Sequence, residues 1–224
     1  MRILIACEYS AVVREAFSKL GHDAWSCDLL PTEIPGNHYQ EDAIKILWGE
    51  KWDMVIAHPP CTYLSNSGVR WLASKQPKKG FVKAENSSIY INPERWAKVV
   101  EAAKFFKQFK LYGKLGGKIA IENPIMHKYA KQEIFLENED QQPTQIIQPW
   151  QFGHGETKAT CLWLYNLPKL EATDIVEGRE QRIWKMPPGE FRQKERSRTF
   201  EGIAQAMANQ WGNFPTETKR SICA

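Results

Sequence analysis

The sequence predicts a doubly wound α/β domain on a mostly parallel sheet, with an antiparallel addition at one edge. Three observations carry that prediction. Short apolar runs of strand length alternate with stretches of helical spacing along most of the 224 residues. The runs are continuous, as in strands buried on both faces. Two strand-like runs then follow one another late in the chain with no helical stretch between them.

The first run, 2–7 (RILIAC), reads as a buried parallel strand. Ser10 is the expected N-cap of a helix over 11–20, where Val12, Val13, Ala16, Phe17 and Leu20 share a face, and Gly21 closes it. A second strand over 23–27 ends at Asp28. A short helix over 42–48 precedes a third strand over 52–57, which runs into His58-Pro59-Pro60-Cys61. Residues 75–93 are polar, Lys-rich and without period, the pattern of a long surface loop. The spacing of Trp96, Val99, Val100, Ala103, Phe106 and Phe109 predicts a helix over 96–112, and Gly116-Gly117 ends that region. A strand over 119–121 leads to Glu122-Asn123-Pro124. The late pair of strands covers 144–148 and 159–165. Residues 179–198 are basic and irregular, and 202–211 forms a last short helix.

Composition narrows the class. Apolar residues are 42% and charged residues 25% of the chain, which excludes disorder, collagen and coiled coil as overall descriptions. No run of about 18 apolar residues is present, so no membrane association through a spanning helix is expected. Acidic Glu8 and Glu15 directly after the first apolar run argue against a secretion signal. The net charge of +4 permits an anionic partner without requiring one. The five cysteines, Cys7, Cys27, Cys61, Cys161 and Cys223, include no C-x-x-C pair. A disulfide framework or zinc site is not expected, no metal is expected, and a reducing cytoplasm is the default.

Ligands of open α/β sheets sit beyond the carboxyl ends of the strands. Four expected strands end in polar residues of catalytic type: Glu8-Tyr9-Ser10, Asp28, His58-Pro59-Pro60-Cys61 and Glu122-Asn123-Pro124. Singly, each has a bland explanation as a turn residue or a small buried thiol. Jointly, they predict one cleft.

The stretch His58-Pro59-Pro60-Cys61-Thr62-Tyr63-Leu64-Ser65-Asn66-Ser67-Gly68 resembles the catalytic loop of the cytosine-5 DNA methyltransferases, in which a Ser and a Gly follow the Pro-Cys cysteine by four and seven residues. Ile121-Glu122-Asn123 resembles that family's Glu-Asn motif, and the order of motifs also agrees over nearly the whole chain, 1–211. The closest likeness is to the short phage and prophage members.

The resemblance implies a Rossmann-like sheet of the class I methyltransferase type and S-adenosyl-L-methionine as cofactor. It implies Cys61 as the nucleophile on cytosine carbon-6 and Glu122 as the acid on ring nitrogen-3. A thiolate makes carbon-5 reactive by adding at carbon-6 and leaves again readily. The acid must be protonated near neutral pH, which calls for a buried Glu with a raised pKa. A free thiol titrates near 8.5, so a positive charge or a helix N-terminus must assist Cys61.

By the same resemblance, Glu8, Tyr9 and Ser10 face the methionine part of the cofactor. Asp28, with Leu29 beside it, holds the ribose, Asp42 approaches the adenine, and Pro59 completes the cofactor set. The family's cofactor loop is glycine-rich; this one has no glycine. Where the family carries Gln-x-Arg-x-Arg, this chain has Glu156, Lys158 and Thr160, so Lys158 is the candidate catalytic cation and Thr160 a substrate contact. Ser65 and Asn123 are further substrate contacts.

The division expected is a catalytic and cofactor-binding unit over 1–165, a basic segment over 166–198 in place of a target-recognition domain, and a C-terminal helical element over 199–224 packing back on the first. In the basic segment, Arg179, Arg182 and Lys185, with Trp184 among them, are candidate phosphate contacts. Residues 63–93, directly after the nucleophile, are expected to be the most mobile part and to close over the site. The expected partner is DNA or a free cytosine nucleotide. The alternative is a catalytically weak nucleic-acid-binding protein that keeps the fold. An amino-methyltransferase is disfavoured because His58 and Cys61 occupy the ends of what would be its Asp/Asn-Pro-Pro-Tyr/Phe motif.

Overall fold

A computed structural model describes residues 1–69, 71–85, 87–187, 189 and 192–213. Its centre is a seven-stranded sheet of β1 (Arg2–Ala6), β2 (Asp23–Asp28), β3 (His38–Gln40), β4 (Met54–Ala57), β8 (Ile119–Pro124), β9 (Gln145–Ile147) and β10 (Thr160–Tyr165). Their order across the sheet is β3-β2-β1-β4-β8-β10-β9. From β3 to β8 all neighbours are parallel, and β10 runs antiparallel to both β8 and β9. This is the expected Rossmann-like arrangement, with the antiparallel addition at the β8 edge.

Helices cover both faces because the central strands are apolar on both. Ile3 and Ile5 of β1, Met54 and Ile56 of β4 and Ala120 of β8 pack toward α1 (Val12–Ser18) and α8 (Glu201–Gly212). Leu4, Ala6, Val55, Ala57, Ile119 and Ile121 pack toward α2 (Ala43–Gly49), α4 (Pro93–Lys114) and α5 (Lys128–Ile134). Side chains alternate between faces with a period of two, so each residue number assigns a face up to the strand ends. Trp211 of α8 is fully buried and donates its indole N–H to the Pro168 carbonyl at 3.1 Å. The C-terminal helix thus docks on α1, and residues 214–224, with Cys223, lie outside the described residues.

Two local expectations are corrected. Ser10 does not cap α1. The capping residue is Ala11, at φ 62°, and the Glu8 carboxylate accepts from the Val13 and Arg14 amides at 2.8 and 3.2 Å. A carboxylate is the stronger acceptor for helix N-terminal amides. Residues 75–93 are not an irregular loop. They contribute two strands of a small antiparallel sheet, β6 (Val82–Lys83) and β7 (Tyr90–Ile91), whose third strand is β5 (Ala73–Ser74). Leu64 and Leu72 anchor the region in the core, and the Asn92 amide donates to the Leu72 carbonyl at 2.9 Å. Two-residue strands pair non-locally and leave no periodic trace in a Lys-rich sequence.

No helix among the described residues is long and apolar enough to cross a membrane.

Candidate active site

The ends of β1, β4 and β8 lie side by side, since Ala6 pairs with Ala57 and Ala57 with Ile121. One step further, His58 and Glu122 fall on the face that holds Ile56 and Ala120. His58 Nδ1 lies 2.8 Å from Glu122 Oε2, and both side chains are nearly buried, at 12% and 13% exposed. Glu8 joins them by a different route. Cys7 takes the left-handed region at φ 61°, which breaks the alternation and turns Glu8 toward α1. The turn after β1 contains no glycine, yet Cys7 and Ala11 both hold glycine-type backbone conformations, each at about 1–2 kcal/mol of strain. Strain kept in this way concentrates at functional sites.

Electrostatics tie the group together. Burial pulls the pKa of His58 down, but the charge and contact of Glu122, with Glu8 behind, outweigh it, and the net shift is upward. Burial pushes Glu122 up, and His58 and Lys158 more than reverse that, leaving its carboxyl below the usual range. The expectation of a raised Glu122 pKa is therefore corrected: His58 and Lys158 hold that carboxyl below its usual range. Burial raises the Cys61 thiol, and Lys158 and Arg196 pull it part of the way back. Lys158 is the largest of the influences that lower it. Its own pKa is lowered, chiefly by burial, and Nζ donates to the Arg198 carbonyl at 2.9 Å.

The two motifs that bear Cys61 and Glu122 are stitched together. The Asn66 amide donates to the Ile125 carbonyl at 3.1 Å, and the His127 amide to the Leu64 carbonyl at 2.8 Å. Ser65, 4% exposed, forms an isolated bridge with Met126. The turn after Cys61 is closed by the Leu64 and Ser65 amides on the Cys61 carbonyl. Gly68 is required there because a Cβ at this position would sit 1.6 Å from the Thr62 carbonyl oxygen.

A cover lies over the cleft. Ser197, Arg198 and Thr199 join Cys7, Glu8, Tyr9, Ser10 and His58 around a cavity of about 50 Å³. The cover continues α7 (Arg192–Ser197). It is latched by Glu33, which pairs with Lys194 at 2.5 Å and Arg198 at 2.7 Å. Residues 197–199 thus lie against this cavity.

The remaining candidates fall into three groups. Tyr9, Ser10 and the buried Pro59 are at the cleft; the Tyr9 hydroxyl is 3.4 Å from Ser197 Oγ, and Ser10 Oγ donates to Glu8 at 3.4 Å. Asp28 ends β2 and accepts from the Leu30 amide at 2.9 Å, while Leu29 is 74% exposed beside it. Asp42 caps α2 by accepting from the Ile44 amide at 2.7 Å. Thr160 is buried on the Glu122 face and donates to the Lys158 carbonyl at 3.1 Å. Asn123 points to the opposite face, is 1% exposed, and donates to the Pro124 carbonyl at 2.7 Å. In the basic segment, Arg182 pairs with Glu156 at 3.0 Å and the Arg179 guanidinium stacks on Trp150 at 4.0 Å. Lys185 is exposed next to Trp184, which is 71% exposed.

Sequence reasoning placed His58 at a strand end and Arg196 in the basic stretch without giving either a role at Cys61 or Glu122, and it missed Glu33. For His58 a signal existed: positions 54, 56 and 58 share a face, and so do 120 and 122 on the strand beside it. Among the described residues, no group of three or more His, Cys, Asp or Glu side chains is placed to hold a metal ion.

Comparison of the chain with models of protein families and with curated proteins finds no match.

Proposed function

We propose that this protein is an S-adenosyl-L-methionine-dependent methyltransferase acting on carbon-5 of cytosine, in DNA or in a free cytosine nucleotide. The observation that carries the reading is the stitching of the Cys61 loop to the Glu122 strand end, at the carboxyl ends of β4 and β8, under the positive field of Lys158 and Arg196. It joins the two groups that the resemblance to the cytosine-5 family calls for.

The strand ends support a cofactor site here, although the cavity as it stands is too small for one. Tyr9, Ser10, Asp28 and Pro59 surround the place where the strand order reverses between β1 and β4, which is where open α/β sheets bind cofactors. Pockets for molecules of that size hold roughly 300–1,000 Å³, against the cavity of about 50 Å³. The 197–199 cover must move before the cofactor enters. When bound, the cofactor supplies an electrophilic methyl group. The chain supplies the rest. Cys61 adds as thiolate to carbon-6, Glu122 holds nitrogen-3, and Lys158 stabilises the thiolate before attack. Its single charge takes the place of the family's arginine fork.

The basic segment leaves Lys185 and Trp184 outward, with Lys78, Lys79 and Lys83 also exposed. These few exposed residues are candidate phosphate contacts, in keeping with minimal DNA recognition or a nucleotide substrate. The target base has to leave the duplex stack before its ring reaches Cys61.

The test is mass spectrometry of nucleosides from DNA, RNA and nucleotide pools incubated with the protein and methyl-labelled cofactor. Labelled 5-methylcytosine in one pool supports the reading. Cofactor and nucleic-acid binding with no labelled pyrimidine favours the alternative of a binding protein that keeps the fold.

A further inference from the structure

At the heart of the site is the His58 ring. Its Nδ1 lies 2.8 Å from Glu122 Oε2, within ion-pair reach, and that oxygen makes no hydrogen bond among the described residues. Its other nitrogen, Nε2, is buried and meets no hydrogen-bond partner among the described residues. The ring is therefore held by Glu122, by packing, and by the two strand ends that place it. Its surroundings bear on its charge from three sides: Glu122 from β8, Glu8 from the turn after β1 and Lys158 from the approach to β10; Arg198 of the cover lines the same cavity and pairs with Glu33.

Resting on the cytosine-5 reading, we propose that His58 is a positioning residue that stores the proton Glu122 delivers to ring nitrogen-3. In the resting site the pair is imidazolium and carboxylate. A bound ring excludes water, and in a drier site the neutral pair gains on the ion pair. The proton then crosses from Nδ1 to Oε2. Cys61 Sγ forms its bond to carbon-6, the C5–C6 π pair moves to C4–C5, and the C4–N3 π pair moves to nitrogen-3. Nitrogen-3 takes the proton from Glu122, which is again a carboxylate, and His58 is left neutral. When carbon-5 takes the methyl group, the C4–C5 pair becomes the new C–C bond and the nitrogen-3 pair returns to C4–N3; the carbon-5 proton then passes to solvent, its bonding pair forms C5–C6, the S–C6 pair leaves with Cys61 as thiolate, and nitrogen-3 returns its proton to the pair. The arrangement explains how a carboxylate held below its usual range still acts as an acid: the proton comes from an imidazole held above its ordinary range by Glu122 and Glu8.

The experiment is the pH profile of covalent trapping by 5-fluorocytosine, offered in DNA, RNA and nucleotide form with cofactor, for wild type, His58→Asn and His58→Gln. Wild-type trapping falls on the alkaline side as the pair loses its proton. Without His58 the proton resides on Glu122 alone, so the falling limb moves toward acid by about one pH unit. The rate near pH 8 then drops roughly tenfold, while the rate near pH 6 stays within a few-fold. A variant that scales the whole profile without moving the limb overturns the proposal and leaves the cytosine-5 reading standing. A wild-type protein that binds cofactor and traps no ring overturns that reading, and the proton's destination with it. Should both variants fail to fold, ¹⁵N NMR of the wild-type imidazole decides. Titration above 6.5 with Nδ1 protonated supports the store, and titration at or below 6.5 overturns it.

Discussion

His58 and Glu122, each one residue beyond the paired Ala57 and Ile121, meet at 2.8 Å on the face of the sheet that carries α1 and α8. The contact follows from parallel pairing: in-register neighbours at the ends of parallel strands project to the same side. It brings a titrating ring against the carboxyl group that the proposed chemistry needs as its acid.

The pair sets a window of pH for stability. His58 is held above its ordinary 6.5, so its contribution is complete below that value and fades as pH rises through the raised one. Glu122 is held below its ordinary 4.5, so its contribution is complete above 4.5 and fades as pH falls through the lowered one. Both are fully present between these limits. The difference in urea midpoint between wild type and Glu122→Gln should be largest from pH 4.5 to 6.5 and shrink on either side. A difference that stays flat from pH 4 to 9 would show that the pair is not coupled to folding.

Gly68→Ala should damage the loop that carries Cys61. The added methyl meets the Thr62 carbonyl oxygen at 1.6 Å, and neither atom can rotate away. The backbone of 62–68 has to shift, at a cost of about 1–3 kcal/mol. Gly49→Ala is the control, because a Cβ there meets nothing within 4 Å. Thermal melts should separate the two by several degrees, and any methyl-transfer activity should fall only in Gly68→Ala. Equal melting points would contradict the clash.

Much of this was legible in the sequence, for physical reasons that differ by residue. β1, β4 and β8 are continuous apolar runs and needed no tertiary information. Asn92 and Pro93 form an ordinary helix start, with Asn92 accepting from the Arg95 amide at 3.0 Å, although the periodic residues begin only at Trp96. Glu8 as the helix cap was not legible, because it depends on a left-handed Cys7 that no local preference dictates. The small sheet of β5, β6 and β7 was hidden, since its strands are two residues long. Arg179 and Arg182 read as free phosphate contacts because their partners, Trp150 and Glu156, are over 25 residues away in sequence.

Glu33→Gln should loosen the cover. Glu33 is pulled below its usual range by Lys194 and Arg198 against the opposing effect of burial. Such partly exposed pairs hold a segment weakly, so amide exchange over 192–199 should quicken roughly twofold to tenfold. Added salt should quicken exchange in wild type and do less in the variant. Exchange that responds to neither change would mean that packing, not the latch, holds the segment.

Lys158→Met should raise the pKa of Cys61. Burial already lifts that thiol, and Lys158 is the largest of the opposing influences. Met keeps the length and apolar stem of the side chain and removes the charge. A unit charge acting across a partly buried site is worth about 1–2 kcal/mol at an effective dielectric near 20, which is about one pKa unit. Iodoacetamide labelling of Cys61, followed by peptide mass, reads this without any knowledge of substrate. The midpoint of labelling rate against pH should move up by about one unit. The substitution also leaves the Arg198 carbonyl without its donor, so the cover loosens and access improves. Access changes the plateau of the labelling curve; charge changes its midpoint, and the two effects separate. Lys158→Arg keeps the charge and should keep the midpoint. A Met variant whose plateau rises while its midpoint stays at the wild-type value would remove Lys158 from the activation of Cys61 and leave it only the task of holding the cover.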